Sequence, residues 1–151
     1  MLVVPPSIHA SCVAVGETGV LIRGPSGSGK SRLAFQLILA ARSGLIGPTL
    51  LVADDRVLLA RRGDGLVATP PADLAGLIEV RGAGIRRVPH AASAVVGLVV
   101  DLSADDGARL PDPDSRRLQL DGVVLPRLAL PAGVDPLPPV IAVLTTEAVP
   151  D

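Results

Sequence analysis

The chain has 151 residues and a formal net charge of −1, long enough to bury a core and without the broad basic surface that nucleic acid selects. Apolar residues make up 48%, yet Trp and Tyr are missing and Phe35 is the one phenylalanine, so Leu, Val, Ile and Ala must build the core. A single cysteine, Cys12, excludes an internal disulfide and suits a reducing cytosol, and the longest apolar run, Ala94 to Val100, is too short to span a bilayer. With no basic, apolar signal stretch at the N-terminus, the expectation is one soluble cytoplasmic domain over residues 1–151, with no membrane or nucleic-acid partner.

In chain order, Ser11–Val15 and Gly19–Arg23 read as a β-hairpin around Gly16-Glu17-Thr18. A glycine-rich loop follows, and then Leu33, Ala34, Leu37, Ile38 and Ala41 recur at helical spacing up to a stop at Gly44. Phe35 and Leu39 add apolar residues on another face, which predicts a helix buried around much of its circumference. Thr49–Ala53 is a short strand that runs into Asp54-Asp55, and Val57–Ala60 with Leu66–Thr69 form a second hairpin around Gly63-Asp64-Gly65. After Pro70-Pro71 and a short turn or helix through Leu74, Leu77–Arg81 reads as a strand broken by Gly82-Ala83-Gly84; Ala94–Leu102 is a buried strand. A polar loop, Ser103–Ser115, leads to two strands, Arg116–Leu120 and Val123–Leu130, and the apolar segment Val140–Val149 fits either a helix or a strand. Strands outnumber helices and most neighbours are hairpin-linked. The fold class is therefore α/β, a P-loop nucleotide-binding domain with a mixed, hairpin-rich β-sheet and few helices.

The loop Gly24-Pro25-Ser26-Gly27-Ser28-Gly29-Lys30-Ser31 matches G-x-x-x-x-G-K-S, placed between a strand and a helix. Its glycines let backbone N–H groups turn toward phosphate oxygens, and the helix N-terminus adds positive potential. Lys30 would reach the β- and γ-phosphates of ATP, and the Ser31 hydroxyl would ligate Mg²⁺. Thirteen of the 14 basic residues are arginine, so the only lysine of the chain stands inside this loop. A compact ammonium suits a tight phosphate cradle better than a planar guanidinium.

Such a loop needs a carboxylate at the end of a neighbouring strand, to hold the metal's water shell or to take a proton. Asp54-Asp55 and Asp101 both qualify, and spacing does not choose between them. Two adjacent carboxylates beside a triphosphate would repel each other unless one engages Mg²⁺ or a proton donor, which favours a role for the pair.

Ile8-His9-Ala10, the hairpin before the loop, Val52-Ala53-Asp54-Asp55-Arg56-Val57 and Ile78-Glu79-Val80-Arg81-Gly82-Ala83-Gly84-Ile85 together resemble the catalytic domain of the HPr kinase/phosphorylase family, over about residues 7 to 130. The last segment resembles that family's E-I-R-G-x-G-I signature. The resemblance implies a kinase that uses ATP and Mg²⁺ to phosphorylate a serine of the phosphocarrier HPr, with a reverse reaction in which inorganic phosphate removes that phosphate as pyrophosphate. It implies that His9 is an active-site histidine, Asp54 with Asp55 beside it the acid/base carboxylate, Glu79 a magnesium ligand and Arg109 an active-site arginine. A ring-like homo-oligomer, a hexamer in the family, is implied as well. Arg86 and Arg87 could dock an acidic loop or a phosphoserine, although a solvated edge strand accounts for them more simply.

Three departures bear on activity. The chain starts directly at the catalytic domain, without the N-terminal domain of larger members. The family's arginine-rich P-V-R-P-G-R-N-like stretch is reduced to Leu130-Pro131-Ala132-Gly133, and the helices expected to hold the substrate protein are short or absent after Asp151. Kinase activity is therefore expected, with phosphorylase activity weak or absent. The alternatives are a P-loop kinase for another protein or a small metabolite, and a non-catalytic ATP-sensing module.

Overall fold

The computed structural model describes residues 7–149; the expected domain bounds reach beyond these at both ends. Strands β1 (Ser7–Ile8), β2 (Ala10–Val15) and β3 (Thr18–Arg23) lead into helix α1 (Lys30–Arg42). Then come β4 (Thr49–Ala53), β5 (Val57–Arg62), β6 (Gly65–Thr69), β7 (Leu77–Val80), β8 (Gly84–Arg87) and β9 (Ala94–Asp101), and finally β10 (Arg117–Leu120), β11 (Val123–Ala129) and helix α2 (Leu137–Thr145). The mixed, hairpin-rich sheet and the scarcity of helices are as expected.

The main sheet runs β1-β5-β6-β9-β3-β2-β4, with β11 on β9 and β10 on β11, while β7 and β8 form a separate ribbon. Local chemistry sets the hairpins. Asp121 and Gly122 both take positive φ between Leu120 and Val123, the two-residue turn whose twist matches that of its flanking strands. Strand β9 pairs parallel with both β3 and β11, and β2 runs antiparallel to both β3 and β4. The carboxyl ends of β3, β4, β9 and β11 therefore share one edge of the sheet, where ligands of open α/β sheets bind.

Side chains alternate across this sheet into two cores. Val20, Ile22 and Val100 meet Leu33, Leu37 and Ile38 of α1 and Val140 of α2, while Leu21 and Val99 face Val57, Leu59, Leu66, Val123 and Leu125. Helices cover the first face. Hairpin strands curling over the second cover it instead, so the chain needs few helices.

One expectation is corrected here, and one open assignment is resolved. Helix α1 buries Leu33, Ala34, Leu37, Ile38 and Ala40, but Leu39 is 42% exposed, because no second layer packs outside the helix. The undecided apolar segment is helical from Leu137; Pro138 and Pro139 fall in its first turn, where a missing N–H breaks no helical bond. Hydrogen bonds from Gly44 N–H to the Ala41 carbonyl and from Leu45 N–H to that of Ala40 end α1 where the glycine suggested. No helix among the described residues is long and apolar enough to cross a membrane.

Cys12 lies fully buried in the second core, and burial pushes its thiol up to about 12. A thiol of this kind is inert while the sheet is intact. At pH 8, dithionitrobenzoate should leave the folded protein unlabelled and titrate one thiol in guanidinium chloride; fast labelling of the folded protein would contradict the burial of β2.

Candidate active site

The phosphate loop leaves the end of β3 and turns into α1 at the shared edge. Gly29 caps the helix at φ 98, a conformation that L side chains rarely adopt, and no side chain bonds to the first helical N–H groups. No acidic residue stands in the first turn either, so the donors and the dipole face outward without compensation. A Cβ at Gly24 would lie 2.5 Å from Ser28 Oγ and 3.1 Å from the Leu102 carbonyl oxygen, which explains the glycine there. Ser28 Oγ itself is buried without a hydrogen-bond partner, the state of a group shaped for an external ligand. Lys30 Nζ folds back onto the carbonyl oxygens of Gly24 at 2.8 Å and Pro25 at 3.1 Å. All five features fit a polyphosphate.

Asp54 follows β4 and is 6% exposed. It accepts hydrogen bonds from Ser11 Oγ at 2.7 Å, Ser31 Oγ at 2.6 Å and the backbone N–H of Glu79 at 3.0 Å. By donating its proton to Asp54, the Ser31 hydroxyl keeps its lone pairs for a cation. Asp55 points the other way. The Arg56 N–H donates to the Asp54 carbonyl at 2.7 Å and closes a three-residue turn around Asp55 at φ 66. Such a backbone costs about 1–2 kcal/mol for a residue with a Cβ, and strain of this kind gathers at functional sites. The Asp55 carboxylate is 71% exposed, with His9 Nδ1 3.9 Å away and equally open to solvent.

Of the expected site residues, Lys30, Ser31, Asp54, Asp55 and His9 thus gather at one edge. Glu79 joins them through its backbone, its side chain being exposed and without a hydrogen bond among the described residues. Arg109 does not join: it lies exposed in the loop after β9, with no hydrogen bond or ion pair among the described residues. Sequence reasoning missed Ser11, whose only signal is a hydroxyl in an otherwise apolar strand.

Asp101, the other candidate carboxylate at a strand end, is the centre of a charge cluster. Arg23 donates to both of its oxygens, at 2.7 and 2.8 Å, and Arg127 donates at 2.6 Å while also gripping Asp106 through both terminal nitrogens and the Ser115 carbonyl. Burial alone pushes the Asp101 carboxyl up, but hydrogen bonds from Arg23 and Arg127 outweigh it and hold it below the ordinary carboxylate range. Arg127, bonded to Asp106 and then Asp101, is raised in turn. Arg23, Asp101 and Arg127 share the sheet face with Leu21, Val99 and Leu125, away from α1. The cluster therefore braces the root of the loop from behind, on the face opposite Asp54.

Residues 2–102 match the HPr Serine kinase C-terminal domain family. The chain belongs to this family. It is 35% identical over 136 residues to the HPr kinase/phosphorylase of Exiguobacterium sibiricum, covering 83% of this chain and 42% of that protein. It is 37% identical over 141 residues to that of Enterococcus faecalis, covering 86% and 43% respectively, so the chain spans less than half the length of these relatives. The solved structure of the Hpr(Ser) kinase/phosphatase from Coxiella burnetii superposes with a TM-score of 0.72 at 28% identity, covering 92% of this chain and 93% of that one. The family match contains the phosphate loop, Asp54 and Glu79 and ends at Leu102, so Arg109 and Arg127 lie outside it.

The Asp101 cluster carries a pH-dependent prediction. A carboxyl held below its unfolded value stabilises the fold above that value and ceases to do so as pH falls through its folded one. Asp101→Asn should lower stability at pH 7 by about 2 kcal/mol, less than for a fully buried pair because Arg23 stays partly exposed. Urea melts across pH should show the gap to the unaltered protein closing below about pH 4. A gap that stays constant down to pH 3 would mean the charge of Asp101 contributes nothing.

Proposed function

We propose that this chain is an ATP- and Mg²⁺-dependent serine kinase domain acting on the phosphocarrier HPr, with weak or absent phosphorylase activity. The observation that carries this reading is the Ser31–Asp54 hydrogen bond of 2.6 Å beside an outward-facing Asp55. It separates the two tasks the neighbouring carboxylates must divide: a buried one fixes a metal-binding hydroxyl, and an open one can exchange protons with a substrate.

ATP would supply the transferable phosphoryl group, and Mg²⁺ would shield its charge. The loop amides and Lys30 hold the phosphates, with Ser28 Oγ free to donate to one of them. Ser31 is the metal ligand, oriented by Asp54, which is itself held by Ser11 and the Glu79 N–H; the Glu79 carboxylate stands free to complete the metal's shell. Three donors already occupy Asp54, so the proton of the serine hydroxyl passes more readily to Asp55, whose oxygens are open. His9 is placed to position that carboxylate. Arg109 would have to move with its loop to take part. Homo-oligomer formation, implied by the family, is favoured by the apolar outer side of α2, where Val143 is 47% exposed.

The same residues argue for one direction. A reverse reaction must hold inorganic phosphate beside a phosphoserine, so extra cations are needed to offset their repulsion. The stretch Leu130–Gly133 supplies none, and Arg127 is already engaged by Asp101 and Asp106.

Two tests follow. Lys30→Ala and Ser31→Ala should each lower transfer of labelled phosphate from ATP to HPr by about a hundredfold or more, with the fold intact. Asp55→Asn should bind nucleotide normally yet lose turnover by about 10²- to 10⁴-fold, whereas Asp54→Asn should also weaken Mg²⁺-nucleotide binding. If Asp54→Asn alone is inactive while Asp55→Asn turns over normally, the division of roles is wrong. In the second, phosphorylated HPr with millimolar phosphate should release pyrophosphate far more slowly than the forward rate. A comparable release would show that the missing arginines are replaced from elsewhere.

A further inference from the structure

Strand β2 alternates its side chains between the two cores. Ala10, Cys12 and Ala14 lie in the second, while Val13 packs in the first, toward α1. By the same alternation Ser11 is on the α1 face, and it pairs across β3 with Ile22 of the first core. It is fully buried, a place where an apolar side chain would need no partner. Strand β4 does not keep the alternation. Leu51 stands opposite Val13 but Ala53 stands opposite Cys12, so Val52 and Ala53 together face one residue of β2. Both lie in the second core, as a β-bulge requires. Leu51, just before it, is also held on its other edge, donating to the Pro89 carbonyl at 3.3 Å and accepting from the Ala91 N–H at 2.8 Å. The extra residue is therefore confined to the two positions that precede Asp54.

This one-residue shift decides which carboxylate meets the phosphate loop. Continued by one step, the bulged register sets Asp54 across from Ser11 on the α1 face, where the two bond at 2.7 Å. Without the bulge Asp54 would stand across from Ala10 and turn to the second core, and Asp55 would take the α1 face. We propose that Ser11 is a positioning residue that holds Asp54 against Ser31 and so assigns the two neighbouring carboxylates their separate tasks; the inference rests on the reading of Ser31 as the metal ligand above. Ser11 and Ser31 both donate to Oδ1 of Asp54, and the Glu79 N–H takes Oδ2. The Asp55 N–H approaches Ser11 Oγ at 3.5 Å, so one hydroxyl engages the carboxylate of the first aspartate and the backbone of the second. Removing it loosens the oxygen that orients the Ser31 hydroxyl, while the loop amides and Lys30 stay as they are.

The probe is a fluorescent, non-hydrolysable ATP analogue, titrated in EDTA and with Mg²⁺. Ser11→Ala should bind it in EDTA as the unaltered protein does, but the tightening produced by Mg²⁺ should fall about tenfold. In an Asp54→Asn background the same substitution should cost nothing further, because Ser11 acts through that carboxylate. Ser11→Cys, close in size but a weak donor, should lose the Mg²⁺ response likewise, so the test does not hang on one variant folding. With HPr, Ser11→Ala should need about tenfold more Mg²⁺ for half-maximal rate, with KM for HPr unchanged. An unchanged Mg²⁺ response in Ser11→Ala overturns the proposal, as does an equal loss in the Asp54→Asn background, which would mark a general packing defect. An unaltered protein whose own binding ignores Mg²⁺ removes the metal reading and the proposal together. If it fails only to phosphorylate HPr, the substrate reading falls while the binding cycle still decides Ser11.

Discussion

A carboxylate removed from water must find donors for its lone pairs, and at Asp54 those donors come from three separate elements. Ser11 belongs to β2, Ser31 to the first turn of α1, and the Glu79 N–H to β7. Each donor is held by its own packing: Ser11 between core residues of its strand, Ser31 by the buried face of α1, Glu79 by the neighbouring Ile78. The hydrogen bonds therefore fix where helix, sheet and ribbon meet. They also explain the strained turn at Asp55. With Asp54 aimed inward and the chain obliged to continue into β5, the next residue takes the positive φ, and its carboxylate is left facing solvent beside His9.

The sheet edge is divided by face. On the α1 side, Asp54 serves the phosphate loop; on the opposite side, Asp101 gathers Arg23, at the end of the strand that feeds the loop, and Arg127. The loop springs from between two charge networks of opposite purpose. One leaves backbone donors turned outward, with an ammonium folded onto the loop carbonyls; the other satisfies two guanidinium forks with two carboxylates and stays closed. Arg127 also clips the start of the loop after β9 through Asp106, so that loop is keyed to the same strand ends as the phosphate loop. A short chain without a thick helical layer gains rigidity at its ligand edge this way.

The parts legible in the sequence are those with local causes. The phosphate loop announces itself because only glycine tolerates its backbone and close contacts. The hairpins follow from their two-residue turns, and α1 from its period and its terminal Gly44. What escaped reading depends on packing across long separations. Nothing near Ser11 tells of Asp54, 43 residues away, and nothing near Asp101 tells of Arg23, 78 residues before it. Leu39 looked like a core residue because its type was visible and the missing outer layer was not. The opposite orientations of Asp54 and Asp55 likewise depend on a backbone angle that composition does not encode. Spacing does not choose between Asp101 and the Asp54-Asp55 pair; what it cannot show is that two arginines occupy Asp101 from the far face.

Residue choice among the cations follows the same logic. Arg23 and Arg127 present planar forks to carboxylates and use them in paired hydrogen bonds, a geometry that lysine cannot reproduce. At position 30 the demand is the reverse. The ammonium rests on two loop carbonyls about 3 Å away, inside a turn so tight that a Cβ at Gly24 would strike Ser28. A planar guanidinium is broader and would meet those carbonyls in a different geometry. In an otherwise lysine-free chain, a compact ammonium thus stands on the loop, and broad forks stand in the ion-pair cluster behind it.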